Sequence, residues 1–389
     1  MNGVDEKEMS RKKSFWQKYA GVAFMMLIGA ICGVVIAEFS ADSASGSLGS
    51  GLISLAALFA GMYLAIMFHI IIHEAGHLLF GLLTGYSFVS FRVFSFMWVK
   101  DAGEVRLKRL SIAGTGGQCL MDPPDMKDGK FPQALYNMGG SVVNLAAGGI
   151  FLTAHFLLGG VPFMKAAMLI FAVVGFMLAV MNGVPMRMGA VDNDGYNAIS
   201  LSKSPQAAKA FWIQLKANAQ VAKGIRLREM PDEWFAVPPD EGMKNSMIAA
   251  RGVFAANRLM DEEKFDEAKK LIAHLLQIES GMAGLHRSLL IGDWIFCELI
   301  GENRAEAIER MLTKEQRKFM MAMKKFPSVL RTEYALALIH EKNASKAQKI
   351  LSEFEKCAET YPYPVETASE RELIALAERK GKENAETDA

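Results

Sequence analysis

Residues His69-Ile70-Ile71-Ile72-His73-Glu74-Ala75-Gly76-His77 lie inside an apolar run, 52–84, that reads LISLAALFAGMYLAIMFHIIIHEAGHLLFGLLT. A run of that length crosses a bilayer, which needs about 20 residues. Ionisable groups within such a span are costly and mark function. His73 and His77 stand at i and i+4, on one face of a helix. That spacing lets both imidazoles hold one Zn²⁺, with Glu74 beside them as general base. Zinc suits the task because it lowers the pKa of bound water toward ~7 and polarises a carbonyl. His69 lies one turn earlier on the same face. Histidines at i, i+4 and i+8 span ~12 Å of helix axis, too far for all three to reach one ion at ~2.0–2.1 Å. His69 is therefore either a group behind the ligands or a packed polar residue.

A catalytic zinc site wants a third protein ligand and one open position. Asn182-Gly183-Val184-Pro185 ends the last long apolar run, and Asp192-Asn193-Asp194-Gly195 follows. Pro185 should break the helix and leave an irregular segment able to turn back. Asp192 and Asp194 are the candidate third ligands. His77 lies roughly 14 Å inside the end of its span near Tyr86, and the aspartates follow a helix that ends on that side.

Four runs are long and apolar enough to span a membrane: 16–38, 52–84, 133–158 and 162–184. The first follows Lys7, Arg11, Lys12 and Lys13 but is longer than a signal-peptide core and lacks an Ala-x-Ala site, so it reads as a retained helix. Lys and Arg are absent from 40–50 and abundant in the N-terminal tail and in 86–131. The positive-inside rule then puts both termini and the central loop in the cytoplasm, in a multi-pass protein of the cell membrane. The domains expected are a cytoplasmic tail, 1–15; a transmembrane zinc domain, 16–200; a linker, 201–242; a cytoplasmic helical-repeat domain, 243–380; and a disordered tail, 381–389.

Within the central loop, Tyr86 to Val99 alternates aromatic and β-branched residues with small ones. Lys100-Asp101-Ala102-Gly103 signals a turn, and Glu104 to Ile112 resumes the alternation. This predicts a β-hairpin over 86–112 with its aromatic strand at the membrane interface. Gly114-Thr115-Gly116-Gly117 lacks a following Gly-Lys-Ser/Thr, so it reads as a connector and not a phosphate loop. In the C-terminal part, 261–277 and 335–357 carry small and apolar residues at helical spacing, like tetratricopeptide helix pairs. The fold class is thus a mainly α membrane protein of about four transmembrane helices with an interfacial hairpin, then a soluble, tetratricopeptide-like α-helical domain.

These motifs resemble the site-2 protease family of intramembrane metalloproteases. His73-Glu74-x-x-His77 matches the family's first motif. Gly140-Ser141-Val142-Val143-Asn144 matches its Gly-x-x-x-Asn element, and Asn182-x-x-Pro185 with Asp194-Gly195 matches its third. The resemblance covers about 50–200, and the hairpin is similar to that family's membrane-associated sheet. It implies His73, His77 and Asp194 as zinc ligands, Glu74 as catalytic base, and Asn144 as a contact to the substrate backbone. Here Ser141 stands where proline is frequent. The interval from Pro185 to Asp194 is longer by several residues, which leaves Asp192 as the second choice of ligand. The implied activity is hydrolysis of membrane-spanning proteins or peptides near the cytoplasmic side, in contact with the lipid bilayer.

Other classes compete. A metal transporter would need polar residues along several helices, yet apart from His155 the first and third runs carry almost none. A catalytically inactive scaffold would recruit a cytoplasmic protein partner through the helical repeats, but would have no need of an intact Glu74. The net charge of +1 argues against a nucleic-acid partner. Cys32, Cys119, Cys297 and Cys357 form no Cys-x-x-Cys pair, which excludes a thiolate zinc site and fits a reducing compartment.

Overall fold

The computed structural model describes residues 48–387 except 102, 112–114, 159–161 and 189–190, and before them only Met26, Gly29, Ala30 and Gly33. The expected tail 1–15 and nearly all of the expected span 16–38 lie outside the described residues. The described chain is mainly helical and divides into two units, one formed by residues up to Tyr86 together with Pro132–Lys203, the other by Ser87–Phe131 and Ser204–Ala389.

The first unit is built on α1 (Leu48–Leu83), α2 (Gln133–Leu157) and α3 (Pro162–Gly183), followed by the short α4 (Asp194–Lys203). Among the described residues these first three helices are the ones long and apolar enough to cross a bilayer. Their burial is inverted relative to a water-soluble bundle. Ile53, Tyr63, Leu83, Ile150 and Phe156 are each more than 60% exposed, while His69, His73, Glu74, His77 and Asn144 are buried. Apolar side chains outside and ionisable ones inside is the pattern a hydrocarbon solvent selects. Leu58 and Ala65 of α1 pack on Ala166, Ile170, Val174 and Met177 of α3. α3 ends at Gly183, two residues before Pro185, as a ring without an N–H requires.

The second unit begins with a four-stranded antiparallel sheet, β1 (Ser87–Val93), β2 (Phe96–Asp101), β3 (Glu104–Arg109) and β4 (Gly117–Asp122), in the order β3-β2-β1-β4. The chain expected to turn at 100–103 passes from β2 to β3, with Lys100 and Asp101 inside β2 and Asp101 paired with Glu104. The aromatic stretch, however, is two strands and not one. It folds back at Phe94, which takes a left-handed φ of 54°, and Arg92 braces that turn by donating to the Phe94 carbonyl at 2.8 Å. The expected connector at Gly117 is the first residue of β4, paired with Val93. Met97, Val99 and Leu110 are buried with Tyr361, whereas Phe96, Trp98, Val105 and Leu107 are exposed. The two sets point to opposite faces because successive strand residues alternate.

The helices of this unit are α5 (Pro205–Ala222), α6 (Ser246–Asp261), α7 (Phe265–Gln277), α8 (Gly284–Ile300), α9 (Ala305–Met311), α10 (Lys314–Ala322), α11 (Pro327–Ala335), α12 (Ala344–Thr360) and α13 (Pro364–Thr387). The segment 201–242, expected as a linker region within a stretch whose pattern reads as helical from about Ser200, is helical in part. It contains α5, which starts on a Ser204 cap with Pro205 at the first turn and buries Phe211, Ile213 and Leu215. The tail 381–389, expected to be disordered, is helical as far as Thr387. Consecutive helices are packed neighbours, α6 on α7, α7 on α8, α8 on α9 and α11 on α12. Glu263, Asn303 and Lys342 take positive φ in the intervening turns, the residue geometry that stops a helix and reverses the chain. Glu298 is buried at 0% exposure and is neutralised by Arg304, at 2.9 Å, and Lys269.

Candidate metal centre

Among the described residues, His73, His77 and Asp194 form the group able to hold a metal ion. His73 Nε2 lies 3.0 Å from Asp194 Oδ2, His77 Nε2 lies 3.5 Å from the same oxygen, and the two Nε2 atoms are 3.1 Å apart. Ligand atoms at ~2.0–2.1 Å from a tetrahedral zinc would stand ~3.3 Å from one another, so the three atoms already have the spacing of one face of such a site. Glu74 follows His73 directly on α1 and is 9% exposed.

The proton positions follow from the surrounding hydrogen bonds. His77 Nδ1 lies 2.7 Å from the Tyr136 carbonyl. A carbonyl only accepts, so Nδ1 carries the proton and Nε2 turns a lone pair toward Asp194. His69 Nε2 likewise donates to the Phe171 carbonyl at 2.9 Å, which leaves its Nδ1 as an acceptor facing the Asn144 amide at 3.1 Å. The other end of that amide lies 3.2 Å from His73 Nδ1. Amide oxygen and nitrogen are assigned from their partners. The structure places the oxygen toward His69 and the nitrogen toward His73. With the amide turned over, nitrogen toward His69 and oxygen toward His73, every group pairs, and His73 donates from Nδ1 with its Nε2 lone pair free for a cation. Histidine ligands are typically oriented this way by a group behind them.

Asp194 Oδ2 has no hydrogen-bond partner, although it sits between two imidazoles. A buried carboxylate oxygen facing two imidazole nitrogens at 3.0 and 3.5 Å is a donor set for a divalent cation.

The backbone explains why these side chains meet. A Cβ at Gly140 would lie 2.5 Å from His73 Nδ1 and Cε1, so the glycine leaves the space the ring fills, and Asn144 follows one turn later. Gly76 of α1 and Gly139 of α2 touch backbone to backbone, where an added Cβ at Gly76 would meet the Gly139 carbonyl at 2.4 Å. Beyond α3, the long interval from Pro185 to Asp194 folds into a small hairpin, β5 (Arg187–Met188) and β6 (Val191–Asp192). Asn193 closes its base. Its amide donates to the Met181 and Val184 carbonyls, both at 2.6 Å, and its oxygen accepts from Met186 N and from Tyr196 N at the start of α4. Asp194 is thus delivered at the first position of α4.

Each residue expected from the sequence has a place. His73, His77 and Asp194 converge. Asp192 pairs with Arg187 in the hairpin and is outside the convergent group. Asn144, expected against substrate backbone, is 0% exposed and bonded to His69 and His73. His69 stands behind the ligands through that amide. Asn193, Gly76 and Gly139 were not singled out in the sequence. The Asx-type position of Asn193, immediately before Asp194-Gly195, is the one signal that could have found it. Searches against protein-family profiles, curated proteins and solved structures find no match for this chain.

Proposed function

We propose that this protein is an intramembrane zinc-dependent endopeptidase of the site-2 protease type, hydrolysing peptide bonds of membrane-embedded proteins or peptides near the cytoplasmic side. The observation that carries the reading is the convergence of His73, His77 and Asp194, with Glu74 beside them, inside helices whose outer surfaces are apolar. Structural metal sites fill all four positions with protein ligands. Three ligands beside a buried carboxylate leave room for substrate or water.

His73, His77 and Asp194 would hold the ion, and zinc bound there supplies a Lewis acid for the scissile carbonyl and acidifies water toward a pKa of ~7. Glu74 takes the proton of the attacking water and delivers it to the amine nitrogen as the C–N bond breaks. One peptide and one water thus become a carboxylate and an amine. Asn144 and His69 keep His73 in its ligating tautomer. In this reading the chain crosses the cell membrane four times with both termini in the cytoplasm. Its C-terminal helices act there as a tetratricopeptide-like module for a protein partner.

The test uses the full-length protein in liposomes with a panel of synthetic transmembrane peptides, products being read by mass spectrometry. Cleavage that a zinc chelator abolishes and added zinc restores is the expected result. A metal-loaded protein that cleaves no member of the panel, and releases no peptide from native membranes, would sink the proposal.

A further inference from the structure

The second unit contains, among its helices, a cavity of about 210 Å³ that the proposed hydrolysis does not use. Arg331 of α11 lines it and is 1% exposed. Its Nη2 donates to Asp293 of α8, its Nε lies 3.0 Å from Glu370 Oε2 of α13, and its plane covers the Phe296 ring at 4.4 Å. Its Nη1 has no hydrogen-bond partner. A buried guanidinium nitrogen with no acceptor is an expensive feature to retain.

The wall carries more acidic groups than basic ones. Arg226 and Asp261 close on each other, with Nε to Oδ1 at 2.8 Å. That leaves Arg331 alone against Asp293, Glu366 and Glu370, one positive charge against three carboxyls. Burial pushes Glu366 up to about 7, with Glu370 adding repulsion and a Tyr361 hydrogen bond opposing it. Burial likewise pushes Glu370 up to about 7, Arg331 pulling it down while Asp293 and Asp261 push it up. The cavity therefore lacks a cation for its carboxyls and an acceptor for its arginine. It is smaller than the ~300–1,000 Å³ of sites for drug-sized ligands, and Phe254 and Leu289 give it an apolar side.

We propose that this cavity binds an amino-acid-sized group bearing a positive charge and a nearby hydrogen-bond acceptor, the chemistry of an arginine or lysine residue. The cationic head pairs with Glu366 and Glu370, the aliphatic stem lies on Phe254 and Leu289, and the carbonyl or carboxylate accepts from Arg331 Nη1. The group has two sources, a free basic amino acid or a basic residue within a peptide. Binding ionises the two glutamates, so it releases protons near pH 7 and tightens as pH rises through that range.

Isothermal titration of the full-length protein in detergent tests this with four ligands: L-arginine, L-lysine, an acetylated arginine amide and an arginine-containing tetrapeptide. Citrulline and norleucine counterparts serve as neutral shapes. Cationic ligands should bind at least ~10-fold more tightly than their neutral counterparts, a difference of ~1.4 kcal/mol, with proton release measured in two buffers at pH 7. Binding of the free amino acids identifies a small-molecule source, and binding of the capped forms alone identifies a peptide. The pair Glu366→Gln and Glu370→Gln should remove both the preference and the proton release. Equal binding of neutral and cationic forms, or no binding of any of them at millimolar concentration, overturns the proposal. Those comparisons use the unaltered protein, so a variant that folds poorly cannot mask the answer.

Discussion

Gly140→Ala is the smallest change that separates helix packing from metal ligation. The new Cβ would lie 2.5 Å from His73 Nδ1 and Cε1, whereas ordinary contacts begin at 3.4 Å. The difference, 3.4 − 2.5, requires the imidazole to move by about 0.9 Å. A metal–ligand distance tolerates only ~0.2 Å, so His73 cannot both clear the methyl and stay a ligand without shifting α1 against α2. That shift is opposed by the backbone contact of Gly76 on Gly139. Disturbing the support of a metal ligand costs about 10–100-fold in affinity, and that loss is expected here. The control is Gly149→Ala on the same helix, where an added Cβ meets nothing within 4 Å. Both substitutions gain up to ~1 kcal/mol of helix propensity, so propensity cannot explain a difference between them. Zinc affinity is measured by competition with a fluorescent chelator, and metal content by mass spectrometry. If Gly140→Ala binds zinc like the control, the close approach of His73 to α2 is not what orients the ligand.

Three further outcomes follow from named contacts. Asp194→Ala should lower metal occupancy far more than Asp192→Ala, because only Asp194 converges with the histidines; equal losses in the two purified proteins would refute that assignment. Asn144→Leu should weaken zinc binding by ~10–100-fold by releasing His73 Nδ1, and adding His69→Leu should cost little more, since both act through one hydrogen-bonded chain. Additive losses in the double variant would refute the chain. Ion pairing with Arg304 and Lys269 outweighs burial and holds Glu298 at about 2, below its ordinary 4.5. Because the folded value is depressed, this stabilisation is complete above ~4.5 and is lost as pH falls toward 2. The gap in thermal midpoint between wild type and Glu298→Gln should therefore narrow from pH 6 to pH 3, and a gap that stays constant would contradict it.

The sequence carried the parts of the fold that obey a single period. The apolar runs 52–84, 133–158 and 162–184 match α1, α2 and α3 within a few residues at each end. The sheet was half legible. Alternation does not mark where a strand folds back, and the reversal at Phe94 uses a phenylalanine in a left-handed conformation, without the glycine or asparagine that announces such turns. Gly116-Gly117 suggested a loose connector, while β4 uses Gly117 as an ordinary ladder residue. At the metal centre, spacing alone placed His73 and His77 together. The position of Asp194 depends on Asn193 pinning the base of a hairpin, and the coupling of His69 to His73 depends on a contact between α1 and α2. Tertiary proximity of that kind has no one-dimensional signature.

The most direct test of peptide hydrolysis by this centre is Glu74→Gln, which keeps the shape of the side chain and removes its ability to take a proton. Membrane peptides are compared by mass spectrometry between cells carrying wild-type protein and cells carrying the variant, with zinc content measured on both purified proteins. The account predicts full zinc occupancy in the variant, together with loss of cleavage products and accumulation of their uncut membrane precursors. A zinc-loaded Glu74→Gln protein that still generates those products at the wild-type rate would contradict it.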